Sequence, residues 1–256
     1  GAGDSLLAVW QSRRNEAGQK FILARRSTDF AATWAPTATL NSVAQSFSPA
    51  VAARPDGMAL VAFSDERNTA RDIFANRSLD GGATWLEHDV AVDSAKRTES
   101  VAPAVALGSG QDAFVLWEEK GAASPQLLFA YSADGGQSWG AAKRVDPEGQ
   151  PASPIWPALV ESGGRLTAVW TAGLVADTTK SWLWVSTISP RVTSFATIVP
   201  ANGARRVLGR CAVCAIMVFP SFGGLAAAQW KDRYLFGPVA RGESCQVVPD
   251  WWLGSG

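Results

Sequence analysis

One pattern of Ser, Asp, a hydroxyl residue and Trp occurs three times at fixed offsets in this chain. The copies are Ser27-Thr-Asp29-Phe-Ala-Ala-Thr33-Trp34, Ser78-Leu-Asp80-Gly-Gly82-Ala-Thr84-Trp85 and Ser132-Ala-Asp134-Gly-Gly136-Gln-Ser138-Trp139. A self-similar period of about 50 residues restricts a chain to repeat architectures. Two further series keep the period. Apolar runs ending in an aromatic residue stand at Leu6–Trp10, Leu60–Phe63, Phe114–Trp117, Thr167–Trp170 and Ala226–Trp230, their last residues 53, 54, 53 and 60 apart. Runs led by Pro49, Pro103, Pro157 and Pro220 precede the last four, and the first three prolines are 54 apart.

Each unit reads as four short strands. Strand A is the Pro-led run and B the run ending in the aromatic. C leads into the Ser-x-Asp turn, as in Leu127–Ser132, and D follows it, as in Ala141–Val145. No stretch sustains a 3.6-residue period, so helices are expected to be few. Four strands per repeat of this length predict an all-β propeller. In the turn, Asp and Ser side chains can bond hairpin backbone and Gly-Gly supplies positive φ, so Ser27, Asp29, Trp34, Ser78, Asp80, Gly82, Trp85, Ser132, Asp134, Gly136 and Trp139 are read as structural. The Trp is expected to pack between blades.

The chain begins in a strand B, and its end, Pro249-Asp-Trp-Trp-Leu-Gly-Ser-Gly256, parallels Pro103-Ala-Val-Ala-Leu-Gly-Ser-Gly110. The tail is therefore expected to supply strand A of the first blade and close a ring of about five blades, which removes open sheet edges. The expected division is a single domain over residues 1–256, with blades at about 4–42 plus 249–256, 46–97, 100–148, 153–200 and 205–248. A fragment of a larger propeller is the alternative.

Composition narrows the function. Hydrophobic residues make up 47% and charged residues 18%, enough for a buried core. With 23 basic and 23 acidic residues there is no basic excess, so nucleic acid is not an expected partner. The longest apolar run, Cys211–Phe219, is nine residues, short of the ~20 of a membrane-spanning helix. One histidine, His88, leaves no His-based metal site or Ser-His-Asp triad, and no metal or cofactor is expected. Cys211 and Cys214 fall on opposite faces of a strand-like run, and one disulfide from Cys245 to either of them is expected for an exported protein.

The repeats resemble bacterial Asp-box (BNR repeat) β-propellers of the sialidase-like superfamily, most clearly from Leu6 to Val145. The segments Phe63-Ser-Asp-Glu-Arg-Asn68 and Asp72-Ile-Phe-Ala-Asn-Arg-Ser78 look like a common blade of such proteins. The resemblance implies that the Asp boxes sit at the C–D turns, opposite the usual ligand face. It also sets a sialidase pattern of three arginines, a Tyr–Glu nucleophile pair and an Asp acid/base. That pattern is not found: no strand A carries Arg, and the only tyrosines are Tyr131, read as core, and Tyr234, with Glu243 nearby in sequence.

B–C and D–A connections share one face of a propeller. The B–C loops carry Arg13, Arg14, Asn15, Glu16, Asp65, Glu66, Arg67, Asn68, Arg71, Asp72, Glu118, Glu119 and Lys120, and the D–A loops add Asp93, Lys96, Arg97, Glu99, Asp146 and Glu148. Of these, Arg13, Arg14, Asp65, Glu66, Arg67, Arg71 and Glu118 are the candidate ligand-binding residues. The expected function is a non-catalytic, extracellular or periplasmic propeller, in mature form without its signal peptide, presenting this loop face to a protein or glycan as a free module or an envelope-complex subunit. The alternative is a sialidase-like glycoside hydrolase in which Asp65, Glu66 and Glu118 converge.

Overall fold

A computed structural model describes residues 5–13, 18–43, 45–93, 98–121, 125–146, 152–174, 177–188 and 199–200. The chain divides into two compact units, Gly1–Ile216 and Met217–Gly256, and every described residue belongs to the first. The tail expected to close the ring, the fifth blade, the three cysteines, Tyr234, Glu243, Arg14, Lys96, Arg97 and Glu148 lie outside the described residues.

The described residues contain no helix. They form antiparallel sheets in sequence order. The first holds β1 (Leu6–Arg13), β2 (Lys20–Ser27) and β3 (Ala38–Thr39). The second holds β4 (Ser46–Ala53), β5 (Ala59–Asn68), β6 (Ala70–Ser78) and β7 (Val90–Ala91). The third holds β8 (Glu99–Leu107), β9 (Ala113–Lys120), β10 (Pro125–Ser132) and β11 (Lys143–Arg144). The fourth holds β12 (Ala152–Ser162), β13 (Arg165–Leu174), β14 (Asp177–Ile188) and β15 (Val199–Pro200). The last three sheets thus read A-B-C-D from one edge to the other, and the first shows B-C-D. The A strands β4, β8 and β12 adjoin one another in turn, which places them on the inside of the arrangement.

The core lies between sheets. Alternation sends one face of each B strand toward the preceding sheet and the other toward the next. Leu60 and Ala62 of β5 meet Val115 and Trp117 of β9. Phe114 and Leu116, on the opposite face of β9, meet Leu166, Ala168 and Trp170 of β13. Val61 and Phe63 meet Ile22 and Ala24 of the first sheet. Trp117 and Trp170 are fully buried, so the aromatics that mark the sequence period are the largest inter-sheet fillers.

Two details correct the strand limits expected from sequence. The prolines do not lead the A strands. The strands start earlier, at Ser46, Glu99 and Ala152, and each proline lies within a register break, between Phe47 and Ala50, Val101 and Ala104, and Ile155 and Ala158. Proline has no N–H to give a ladder, so the bulge is where it is tolerated. The D strands are only two residues long. Beyond them a side chain replaces the ladder: Asn41, Asp93 and Asp146 accept the backbone N–H of Ile22, Ile73 and Leu127 at 2.8, 2.7 and 2.7 Å.

The three Ser-x-Asp turns are built alike. Each Ser hydroxyl donates to the Asp (2.7 Å in all three) and accepts the N–H four residues on, from Ala31, Gly82 or Gly136. Each Asp carboxylate accepts both the N–H and the hydroxyl of Thr33, Thr84 or Ser138. These bonds, led by the Thr84 hydroxyl, hold the Asp80 carboxyl down to about 2. At Asp134 burial pulls upward, but the Ser138 bonds keep it at about 2. The turns also clasp neighbours: a Cβ on Gly82 would sit 2.9 Å from Leu7 Cδ1, and one on Gly136 3.0 Å from Leu60 Cδ1. Trp85 packs on the core between the first and second sheets, and Trp139 on that between the second and third.

Candidate functional site

The opposite end of the strands, where B connects to C and D to A, carries the buried charge. Asp65, Asp72, Asp93, Glu118, Glu119 and Asp146 are all buried there. Such groups persist only when paired or hydrogen-bonded. Most of them are.

Asp65 accepts the Ser46 hydroxyl at 2.5 Å and the Arg67 backbone N–H and Nε at 2.9 and 2.7 Å. Arg67 reaches on to Asp89, at 3.0 and 2.5 Å, and its guanidinium lies 3.8 Å from the centre of the Phe74 ring. Arg71 pairs with Glu66 at 2.9 Å and covers Phe47, 4.5 Å from the ring centre. Arg144 pairs with Asp146 at 2.8 Å. Of the ligand-binding candidates, Arg67 and Arg71 are therefore spent on internal carboxylates. The Arg13 side chain lies outside the described residues.

The third sheet repeats the Ser46–Asp65 pair one period later. Ser100 Oγ stands 2.7 Å from Glu119 Oε2, and also 2.7 Å from Asp93 Oδ2. Trp117 Nε1 donates to Glu119 Oε2 at 3.3 Å, and Thr98 donates to Oε1. Position for position, Asp65 becomes Glu119 and Asn41 becomes Asp93. The neutral amide of the first sheet is replaced by a second carboxylate that shares the serine hydroxyl.

Glu118 stands apart. It pairs in register with Leu127 of β10 and Val101 of β8, on the face of β9 turned toward the fourth sheet. It is 5% exposed and accepts no hydrogen bond from the described residues. Burial pushes its carboxyl above the ordinary glutamate value, against the opposing pull of Lys120. Its equivalents are small and neutral: Ser64 of β5 and Thr171 of β13. A carboxyl that resists ionisation and keeps part of its surface in contact with solvent can donate or accept a ligand hydrogen bond.

The expected convergence of Asp65, Glu66 and Glu118 does not occur. Asp65 shares a face with Phe63, toward the first sheet, whereas Glu118 faces the fourth. Glu66 is exposed and tied to Arg71. One residue of offset along the repeat turns a side chain to the other face. Sequence reading passed over Ser46, Ser100 and Asp89, although the 54-residue spacing of the two serines was a usable signal. It also passed over the residue before each bulge proline. Tyr131 is half-buried, stacks on Phe114 and donates from its hydroxyl to Asp112 at 2.6 Å. His88 is exposed. Among the described residues no group of His, Cys, Asp and Glu is arranged to hold a metal ion, and no helix is long and apolar enough to cross a membrane.

No protein-family model and no curated protein matches the sequence. Solved structures do match in shape. The α-L-arabinanase of Penicillium chrysogenum, complexed with arabinobiose, superposes with a TM-score of 0.60 at 18% identity, over 80% of this chain and 65% of that one. The α-L-arabinofuranosidase of Fusarium graminearum with arabinobiose gives 0.56 at 15% identity, over 72% and 59%. The NanB sialidase of Streptococcus pneumoniae gives 0.48 at 12%, over 75% and 34%. The chain thus spans less than two thirds of the length of the arabinanase and the arabinofuranosidase it matches. At these identities the likeness establishes the fold, a β-propeller of the type found in glycoside hydrolases.

Proposed function

We propose that the protein is a glycan-binding β-propeller of the Asp-box type and that the glycan docks at the B–C end, beside Glu118. The observation that carries this is the break in the repeat at Glu118. Every other buried carboxylate of that end, among the described residues, is held by a serine, arginine, asparagine or backbone donor. Of these buried carboxylates Glu118 alone accepts no hydrogen bond from the described residues, and its carboxyl suits a sugar hydroxyl. The fold's occurrence among carbohydrate-active enzymes supports the same ligand class, as analogy.

A second reading, hydrolysis of a glycosidic bond with Glu118 as the acid, is favoured by its raised proton affinity. It ranks second because a two-carboxylate mechanism needs a partner across the bond. Glu119 is on the opposite face of β9, and Asp65 on the opposite side of its own sheet.

The test is titration calorimetry with arabino-, xylo- and galacto-oligosaccharides and sialyllactose, run beside turnover of chromogenic glycosides. Binding weakened at least tenfold in Glu118→Gln, at unchanged melting temperature, is the expected result. Turnover abolished by the same substitution would promote the second reading. An unaltered affinity in Glu118→Gln would remove Glu118 from the site.

A further inference from the structure

The bulge at the head of each inner strand is the same piece of backbone in three sheets, and one sheet fills it differently. Ser48, Ala102 and Trp156 occupy it with φ of 50°, 51° and 53°. Each precedes a proline and lies in the register break of β4, β8 or β12. Left-handed backbone is costly for any residue with a Cβ, and a bulky ring relieves none of that cost. Trp156 does not recover it by burial either, since it is 53% exposed while Trp117 and Trp170 are buried. An exposed apolar ring on strained backbone contributes little to the fold, and such features gather at binding sites.

Its place fits that role. β12 is the innermost strand of the fourth sheet, and the bulge lies at its B–C end. Leu159 of β12 packs on the core that contains Leu116, two residues before Glu118 on the same face of β9. Trp156 and Glu118 thus stand at the same end of adjoining strands, one an indole and the other a carboxyl, at the two positions where this part of the repeat changes character.

We propose that Trp156 is the stacking platform of a sugar subsite, with Glu118 bonding a hydroxyl of the same glycan. An indole face attracts the C–H face of a furanose or pyranose ring, while its hydroxyls reach outward to polar groups. The ring is uncharged. Among the described residues of this end Arg67, Arg71 and Arg144 are already paired with carboxylates, so none of these three is left to hold an anionic sugar. This inference rests on the glycan reading and specifies its ligand.

The test uses Trp156→Ala, Trp156→Phe and Trp156→Gly with the same oligosaccharide panel and a melting curve for each. Trp156→Ala is expected to lose tenfold or more in affinity for a neutral oligosaccharide at unchanged melting temperature. Trp156→Phe should keep most of the affinity, and Trp156→Gly should lose it while melting higher. Wild-type affinity in Trp156→Ala overturns the platform and leaves the glycan reading standing. A melting temperature that falls by many degrees in Trp156→Ala shows a packing residue and also overturns it. A sialylated sugar as the tightest ligand overturns the uncharged ring. No binding of the panel by the wild type overturns both readings.

Discussion

The two ends of the sheets are made of the same repeats and behave oppositely. At the C–D end, three turns repeat one set of hydrogen bonds almost atom for atom, and the second and third clasp the sheet before them. At the B–C end the equivalent positions read Ser64, Glu118 and Thr171, or Ser48, Ala102 and Trp156, or Asn41, Asp93 and Asp146. Identical geometry in the three copies marks a device that the fold reuses. Divergence within conserved backbone marks what a single blade has been free to specialise. The contrast predicts that damage at the turns shows in stability and damage at the mouth shows in binding.

The largest effect tests the turn side. Asp80→Ala and Asp134→Ala should each cost about 1–2 kcal/mol, as lost Asp caps do. That corresponds to a melting temperature lower by about 2–8 °C for a domain of this size, with oligosaccharide affinity intact. Their pH dependence has a fixed sign. Both carboxyls are held at about 2 in the fold against an ordinary 3.8, so their contribution is present above pH ~4 and lost as pH falls toward ~2. The variants should flatten the acid limb of a melting-temperature profile. Impaired binding at unchanged stability would put function at the turn end and break the contrast.

An intermediate effect of opposite sign tests the one turn that departs from its fellows. Phe30 and Ala31 stand at φ of 54° and 67°, where the other copies have Gly81–Gly82 and Gly135–Gly136. Phe30 is 69% exposed. Replacing both with glycine should stabilise the protein by about 1 kcal/mol, the relief of left-handed strain less the added freedom of the unfolded chain. Thermal melting measures it, and a destabilised double variant would show that Phe30 is anchored.

The smallest effect belongs to the mouth. Because burial raises the Glu118 carboxyl, the fold prefers its protonated form. Stability associated with it is full below the ordinary glutamate value of 4.5 and declines as pH rises through the raised value. Glu118→Gln should remove that decline and melt at or above the wild type at neutral pH. A variant that melts lower at neutral pH would mean that the charged form is favoured, and Glu118 would then join the paired carboxylates of that end.

Much of the architecture was legible in the spacing of residues. Trp10, Phe63, Trp117 and Trp170 do fall in successive B strands, and the Ser-x-Asp segments do form the C–D turns, because both are local patterns with local physics: alternation and side-chain capping. The A strands were legible only in part. Proline marks a bulge as readily as a strand start, and which it marks depends on where the partner strand breaks register. At the mouth, sequence named Glu118 but grouped it with Asp65 and Glu66, since loop membership was visible and facing was not.

By itself, then, the sequence determined the period, the all-β class and the turn chemistry. All of these follow from residue type and near-neighbour spacing. Only the tertiary structure decided which carboxylates are consumed by serine and arginine, that Glu118 turns toward the fourth sheet, and that Trp156 stands exposed on a left-handed bulge. Burial is set by side chains from adjoining sheets, a whole repeat away along the chain, and pairs such as Ser46–Asp65 and Ser100–Glu119 join neighbouring strands, so residue type alone does not encode them.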